Sequence, residues 1–180
     1  MSANKIALIT GSGKRRVGNV VARMLAGRGY DIALHYNSSA DEALQTAREL
    51  AASGVRAEAF RADVSREDDV DRMFEAVIGS FGRIDALITA AAVWERKRLE
   101  DATGDDVRRQ FEINTLGTFL CCRRAGLIMA DQPEGGSIVT IGDWATVRPY
   151  ADYAAYFASK GAIPAITRDF AVELARRNPD

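Results

Sequence analysis

Short apolar runs of strand character alternate with longer runs of helical period along the whole chain, and this alternation confines the fold more than any single motif. The strands read as Ile6–Thr10, Asp31–Tyr36, Arg56–Ala62, Ala86–Thr89 and Ser137–Gly142. Most are continuously apolar, as strands covered on both faces are. Helical patterns fill the gaps: Val17–Arg28, Ala40–Ser53, Arg66–Phe81, a long helix from Thr103 or Asp105 to about Met129, and a last one from Asp152 to about Arg176. Ser38 or Ser39 reads as the N-cap of the second helix and Ser65 of the third, with Gly54 and Gly82 as their stops. Such alternation builds right-handed βαβ units. It predicts an α/β fold, a Rossmann-type doubly wound parallel sheet with strand order 3-2-1-4-5. With 180 residues and neither repeat nor linker, the chain reads as one domain over 1–180.

The first strand runs into Thr10-Gly11-Ser12-Gly13-Lys14-Arg15-Arg16-Val17-Gly18, and a helix follows. Glycines at a strand-to-helix turn let backbone approach a pyrophosphate, and the helix N-terminus adds free N–H groups and the positive end of its dipole. The spacing departs from G-x-G-x-x-G, so the position between the first strand and first helix carries the assignment. An NAD site usually has an acid near the end of strand two for the ribose 2′-hydroxyl. Here the strand ends His35-Tyr36-Asn37-Ser38-Ser39 without one, while Lys14, Arg15 and Arg16 stand in the loop. Cations and hydroxyls suit a 2′-phosphate, so NADPH is the expected cofactor. His35, the sole histidine, is assigned to this cofactor region and not to catalysis.

Near the end of the chain, Tyr156 and Lys160 stand four apart in Tyr-Phe-Ala-Ser-Lys, and Asp143 precedes the tyrosine. Positions i and i+4 of a helix share a face. An ammonium beside a phenol favours phenolate and lowers its pKa, giving a group that exchanges a proton near neutrality.

Together these residues resemble the short-chain dehydrogenase/reductase family. The matching pieces are Thr10-Gly11 with Gly18, Asp63-Val64 after strand three, Asn114 in the long helix, Gly136-Ser137-Ile138-Val139 in strand five, and Tyr156 with Lys160. The resemblance implies that Asp63 touches the adenine with Val64 beside it. It implies that Asn114 supports the lysine through water, that Tyr156 is the general acid, and that Lys160 binds the nicotinamide ribose and lowers the Tyr156 pKa. Alternatives stay open for Asn114 as a capping or surface residue and for Asp63 as an N-terminal helix residue. Where the family has serine, this chain has Asp143. Where it has Asn-Asn-Ala-Gly after strand four, this chain has Thr89-Ala90-Ala91-Ala92, leaving Ala90 and Ala91 against the cofactor with fewer polar contacts. Lys14-Arg15, Leu34-His35-Tyr36, Ser39-Ala40, Glu42-Ala43, the Asp-Tyr-Lys set and Tyr153 are similar to the pteridine-reductase branch. That likeness puts Trp94 where an aromatic stacks on a pterin, or else makes it an ordinary loop aromatic.

An ionised Asp143 accepts hydrogen bonds only. Beside a developing alkoxide it repels, whereas a pterin offers N–H donors and gains protons on nitrogen. The expected reaction is hydride transfer from NADPH to a C=N bond of a pterin-like substrate. The alternatives are a general carbonyl or alcohol oxidoreductase of the same family, or a truncated dinucleotide-binding protein without chemistry. The resemblance leads one to expect further strands and a lid after the Tyr156 helix, which this sequence lacks. It also leads one to expect a homo-oligomer through the two long helices. A net charge of −1 gives no global field for nucleic acid or anionic lipid. Adjacent Cys121 and Cys122 do not form an ordinary staple or a metal site. Without a signal core or membrane span, a cytoplasmic, small-molecule enzyme is expected.

Overall fold

Five strands, β1 (Ile6–Thr10), β2 (Asp31–Tyr36), β3 (Ala57–Arg61), β4 (Ala86–Thr89) and β5 (Ser137–Thr140), pair in parallel in the order 3-2-1-4-5. The structure, a computed structural model, describes residues 4–177. The ends of the domain expected over 1–180, residues 1–3 and 178–180, lie outside the described residues. Strand β1 is central and buried along its whole length, which is why its sequence is apolar without alternation.

Side chains leaving β1 on opposite faces feed two cores. Ala7 and Ile9 pack with Ala22 and Ala26 of α1 (Val17–Ala26) and with Ala47 and Leu50 of α2 (Ala40–Ala52). Leu8 packs with Val70, Phe74 and Val77 of α3 (Glu67–Phe81) and with Leu120 and Ala125 of α5 (Gly117–Ala130). Cys121 and Cys122 are buried as free thiols in this second core. Burial raises both thiol pKa values, Cys122 to about 12, so neither is a thiolate near neutrality.

The two long helices are each interrupted. The first begins as α4 (Gly104–Gln110), where Thr103 and Asp106 form a capping box, as the threonine alternative anticipated. It then passes through a π-helical turn, Phe111–Leu116, before α5. The last is two helices, α6 (Ala154–Gly161) and α7 (Ile163–Ala175). Pro164 lies in the first turn of α7, where its missing N–H and fixed φ suit a helix start and not a helix interior. Asp152 does not begin a helix. It sits in left-handed backbone (φ 72°), and Tyr153 occupies the N-cap. Ser65 is likewise no cap: Arg66 takes that position, while the Ser65 hydroxyl donates to Asp63 Oδ1 at 2.6 Å.

Strand β5 is at the sheet edge, with Val139 exposed. A cavity of about 570 Å³ opens between α5, β5 and α7, lined among others by Met129, Ile138, Phe170 and Leu174. Among the described residues no helix is long and apolar enough to cross a membrane.

Gly11, just past β1, has φ +65°, and a Cβ there would lie 2.6 Å from Ala91 Cα. Gly29 has φ +84° with nothing within 4 Å of that Cβ. Gly11→Ala should therefore cost about 2–4 kcal/mol, combining backbone strain with a clash. Gly29→Ala should cost only the strain, about 1 kcal/mol. Urea denaturation of both variants checks the difference.

Candidate active site

Because all five strands run the same way, the loops leaving β1, β4 and β5 start side by side. Thr10 is registered with Thr89, and Thr89 with Thr140. The Gly11–Gly18 turn is tied to its neighbours by backbone and short polar side chains. Thr10 Oγ1 accepts from the Ala91 N–H at 3.0 Å. The Ser12 N–H donates to His35 O at 3.0 Å, and the Ser12 hydroxyl donates to Ile9 O at 2.8 Å. Asn19 Nδ2 donates to Ser12 O at 3.0 Å and to Thr46 Oγ1 at 3.1 Å. A Cβ on Gly13 would lie 2.7 Å from Ser39 Oγ, and one on Gly18 2.8 Å from Gly11 O. The three glycines thus allow a turn too tight for side chains, packed at Gly13 against Tyr36 and Ser39, with Lys14, Arg15 and Arg16 exposed on it as Asn37 and Ser38 are after β2. Helix α1 begins at Val17 without a side-chain cap, so its first N–H groups are available to an anion. A glycine cradle, an uncapped helix start and three cations fit a dinucleotide phosphate.

Tyr156 and Lys160 are buried on α6. The Tyr156 hydroxyl donates to Asp143 Oδ2 at 2.7 Å. Asp143 Oδ1 accepts the Ala145 N–H at 2.8 Å, capping the short turn at Trp144–Thr146. Lys160 Nζ donates to Ile141 O at 2.8 Å. Lys160 Nζ thus turns to a backbone carbonyl, and the Tyr156 pKa lies above its ordinary value, not below it as their spacing predicts. Burial raises the Tyr156 pKa, and the bond to Asp143 and its charge raise it further. Burial lowers the Lys160 pKa, partly opposed by the Asp143 charge.

Asn114 is fully buried in the π-helical turn, a distortion common at functional sites. Its amide spans two elements. Oδ1 accepts the Val93 N–H at 2.8 Å, and Nδ2 donates to Val93 O at 3.0 Å and to Ser159 Oγ at 2.9 Å. It thus fixes the loop after β4 against the residue preceding Lys160. Trp94, half-exposed on that loop, stacks on Tyr153 with ring centroids 5.0 Å apart. Tyr150 stands edge-on to both Tyr153 and Phe157. The two loops are latched by Arg96 to Asp152 at 2.7 Å and by the Lys97 N–H to Asp152 O at 2.7 Å.

The remaining expected residues lie around this edge in different ways. Val64 is buried against Gly117, where a Cβ would approach Val64 Cγ2 to 2.8 Å. Asp63 is half-buried and accepts from Ser65 N–H and Oγ–H. Ala90 and Ala91 back the Gly11 turn. Tyr36 is half-buried and Ser39 buried beside Gly13, and His35 is buried below the loop with both ring nitrogens bonded within the protein. Sequence reasoning missed Asn19, Ser159, Tyr150 and Phe157. Only Ser159 carried a local signal, a hydroxyl directly before Lys160.

A family model described as enoyl-(acyl carrier protein) reductase matches residues 12–179. The chain is 34% identical over 172 residues to the uncharacterized oxidoreductase YohF of Escherichia coli, covering 96% of this chain and 68% of that protein. The chain belongs to the short-chain dehydrogenase/reductase family. Members of this family use nicotinamide dinucleotides. This member is also 33% identical over 176 residues to hydroxynaphthalene reductase-like protein Arp2 of Metarhizium brunneum, covering 97% of this chain and 64% of that protein. The solved acetoin dehydrogenase of Enterobacter cloacae matches with a TM-score of 0.90 at 35% identity, covering 98% of this chain and 70% of that one. The chain thus spans about two thirds of the length of the relatives it matches.

Asn114→Ala should leave the half-buried Val93 N–H and carbonyl without their Asn114 partners. A loss of about 2–4 kcal/mol is expected, read as a lower urea midpoint with unchanged slope.

Proposed function

We propose that this short-chain dehydrogenase/reductase is an NADPH-dependent reductase acting on a C=N bond of a pterin-like ring. The observation that carries the reading is the hydrogen bond from Tyr156 to Asp143 Oδ2: the group beside the phenol is an acceptor where a carbonyl reductase needs a donor. The pteridine-reductase likeness of Lys14-Arg15, Leu34-His35-Tyr36 and Asp143-Tyr156-Lys160 supports it. Lys14, Arg15, Arg16, Asn37, Ser38 and Ser39 would hold the 2′-phosphate, and the reduced nicotinamide supplies the hydride when bound.

The chain's own residues handle the proton. With its pKa raised by burial and by Asp143, Tyr156 stays protonated across the neutral range, and its one O–H, held on Asp143 here, would turn to the ring nitrogen to deliver the proton. A carboxylate has about four acceptor sites. Asp143 commits Oδ1 to Ala145 and Oδ2 to Tyr156, so lone pairs remain for substrate N–H groups. Trp94 and Tyr153, stacked on each other, offer a flat aromatic surface at the start of α6. A second copy packed over the exposed Phe111, Leu116 and Phe119 belongs to the same proposal.

The second reading is a carbonyl reductase of planar aromatic substrates. It is favoured by the same stacked wall and by the name of the hydroxynaphthalene reductase-like relative. Turnover of a dihydropterin and of a panel of aromatic ketones with NADPH and NADH separates the two. Tyr156→Phe should lower turnover by about 10²–10⁴-fold while NADPH still binds; unchanged turnover would sink the assignment. Asp143→Ser should reduce dihydropterin turnover more than ketone turnover, and the reverse order would favour the carbonyl reading.

A further inference from the structure

His35 Nδ1 lies 3.0 Å from the Gly11 N–H, and Nε2 lies 3.1 Å from Ala62 O. An amide can only donate and a carbonyl can only accept. A single form of the ring satisfies both: neutral imidazole with its proton on Nε2. The His35 backbone is held on the same loop, its N–H donating to Ser12 Oγ at 3.1 Å and its carbonyl accepting from the Ser12 N–H at 3.0 Å. One buried residue of β2 therefore joins the Gly11 turn to the end of β3, next to Asp63. Gly11 is where the backbone turns left-handed, and no other acceptor bonds its N–H among the described residues.

We infer that His35 is a positioning residue for the dinucleotide: without touching it, neutral His35 sets the phosphate turn by accepting the Gly11 N–H, and protonation of His35 releases that turn and weakens dinucleotide binding. This rests on the reading of the Gly11–Gly18 turn as the cofactor's phosphate site. A protonated ring would point an N–H at an N–H, and the half-buried Gly11 amide would lose its partner. The charge that reaches the ring is that of Asp63, past β3. Ser12 and Ala62, which bond it from the turn and the end of β3, and Phe60, registered with it on β3, carry no titratable side chain, and Lys14, Arg15 and Arg16 are at exposed positions of the turn. Burial lowers the His35 pKa below its ordinary 6.5, and the bond to Ala62 and the Asp63 charge oppose this only in part. Stability from His35 is therefore complete above about pH 6.5 and is lost as pH falls from there through the lowered value, because the unfolded chain takes up the proton first.

His35 is the sole histidine, so its ring nitrogens can be followed by NMR without ambiguity. The ring should be the Nε2–H tautomer, and the Gly11 amide should titrate with the same midpoint as His35. Saturating NADP⁺ should lower that midpoint by about one pH unit, the reciprocal of a tenfold weaker affinity for the protonated form. Simple attraction between a charged ring and pyrophosphate would raise it instead, which overturns the proposal. So does an Nδ1–H tautomer, or a Gly11 amide indifferent to His35.

Two variants divide the bonds. His35→Asn keeps an acceptor near Nδ1 but leaves Ala62 O without a donor. It should bind NADP⁺ at pH 7.5 within about twofold of wild type, with pH dependence reduced to that of the cofactor's own phosphate. His35→Gln keeps a donor for Ala62 but none of the acceptance from Gly11, and should bind about tenfold more weakly with its circular dichroism retained. A His35→Asn profile parallel to wild type overturns the proposal. Failure of the wild-type chain to bind any dinucleotide overturns the cofactor reading itself. That case is told apart because the Gly11 amide would still titrate with His35.

Discussion

Parallel pairing governs what this site can be. Residues registered across a parallel sheet end together, so Thr10, Thr89 and Thr140 form one row and the three loops beyond them share one edge. Residues distant in sequence meet there without any loop crossing another. The glycine turn leaves β1, the Ala90–Trp94 segment leaves β4, and Asp143 leaves β5. The π-helical turn after α4 and helix α6 then close over that edge and deliver Asn114 and Tyr156.

Backbone that leaves a sheet loses its ladder partners, and when buried it needs others. Here short polar side chains supply them: Thr10 to Ala91, His35 to Gly11, Asn19 to Ser12, and Asn114 to Val93. These side chains are buried, with rotamers fixed by packing. Their hydrogen bonds therefore hold irregular loops as firmly as a strand is held, and a phosphate turn or a proton donor on such loops keeps its geometry. The π-helical turn serves the same end, since it places Asn114 where one amide reaches both a loop backbone and the residue before Lys160.

Electrostatics at the phenol follow from one substitution in the family pattern. With Asp143 beside it, Tyr156 donates to a carboxylate, and the nearest charge is negative. Lys160 is engaged with Ile141 O. The site holds a protonated phenol beside an acceptor.

Strand positions, sheet order and the glycine turn were legible in the sequence because they depend on local signals. Continuous apolar runs such as Ile6–Ile9 can be buried only between two layers, and a turn as tight as Gly11–Gly18 demands glycine. The trio Asp143, Tyr156 and Lys160 was legible as a set of residue types. Their bonding was not, because helical spacing says which residues share a face and not which way each polar atom turns. The breaks at Phe111–Leu116 and Ala162, the roles of Ser159 and Asn19, and the tautomer of His35 were decided only by tertiary structure. Each depends on a partner brought alongside by folding: Val93 for Asn114, Ser12 for Asn19, and Gly11 together with Ala62 for His35. Sequence fixes which groups can donate or accept, but only the packed chain, by burying them beyond the reach of water, decides which must.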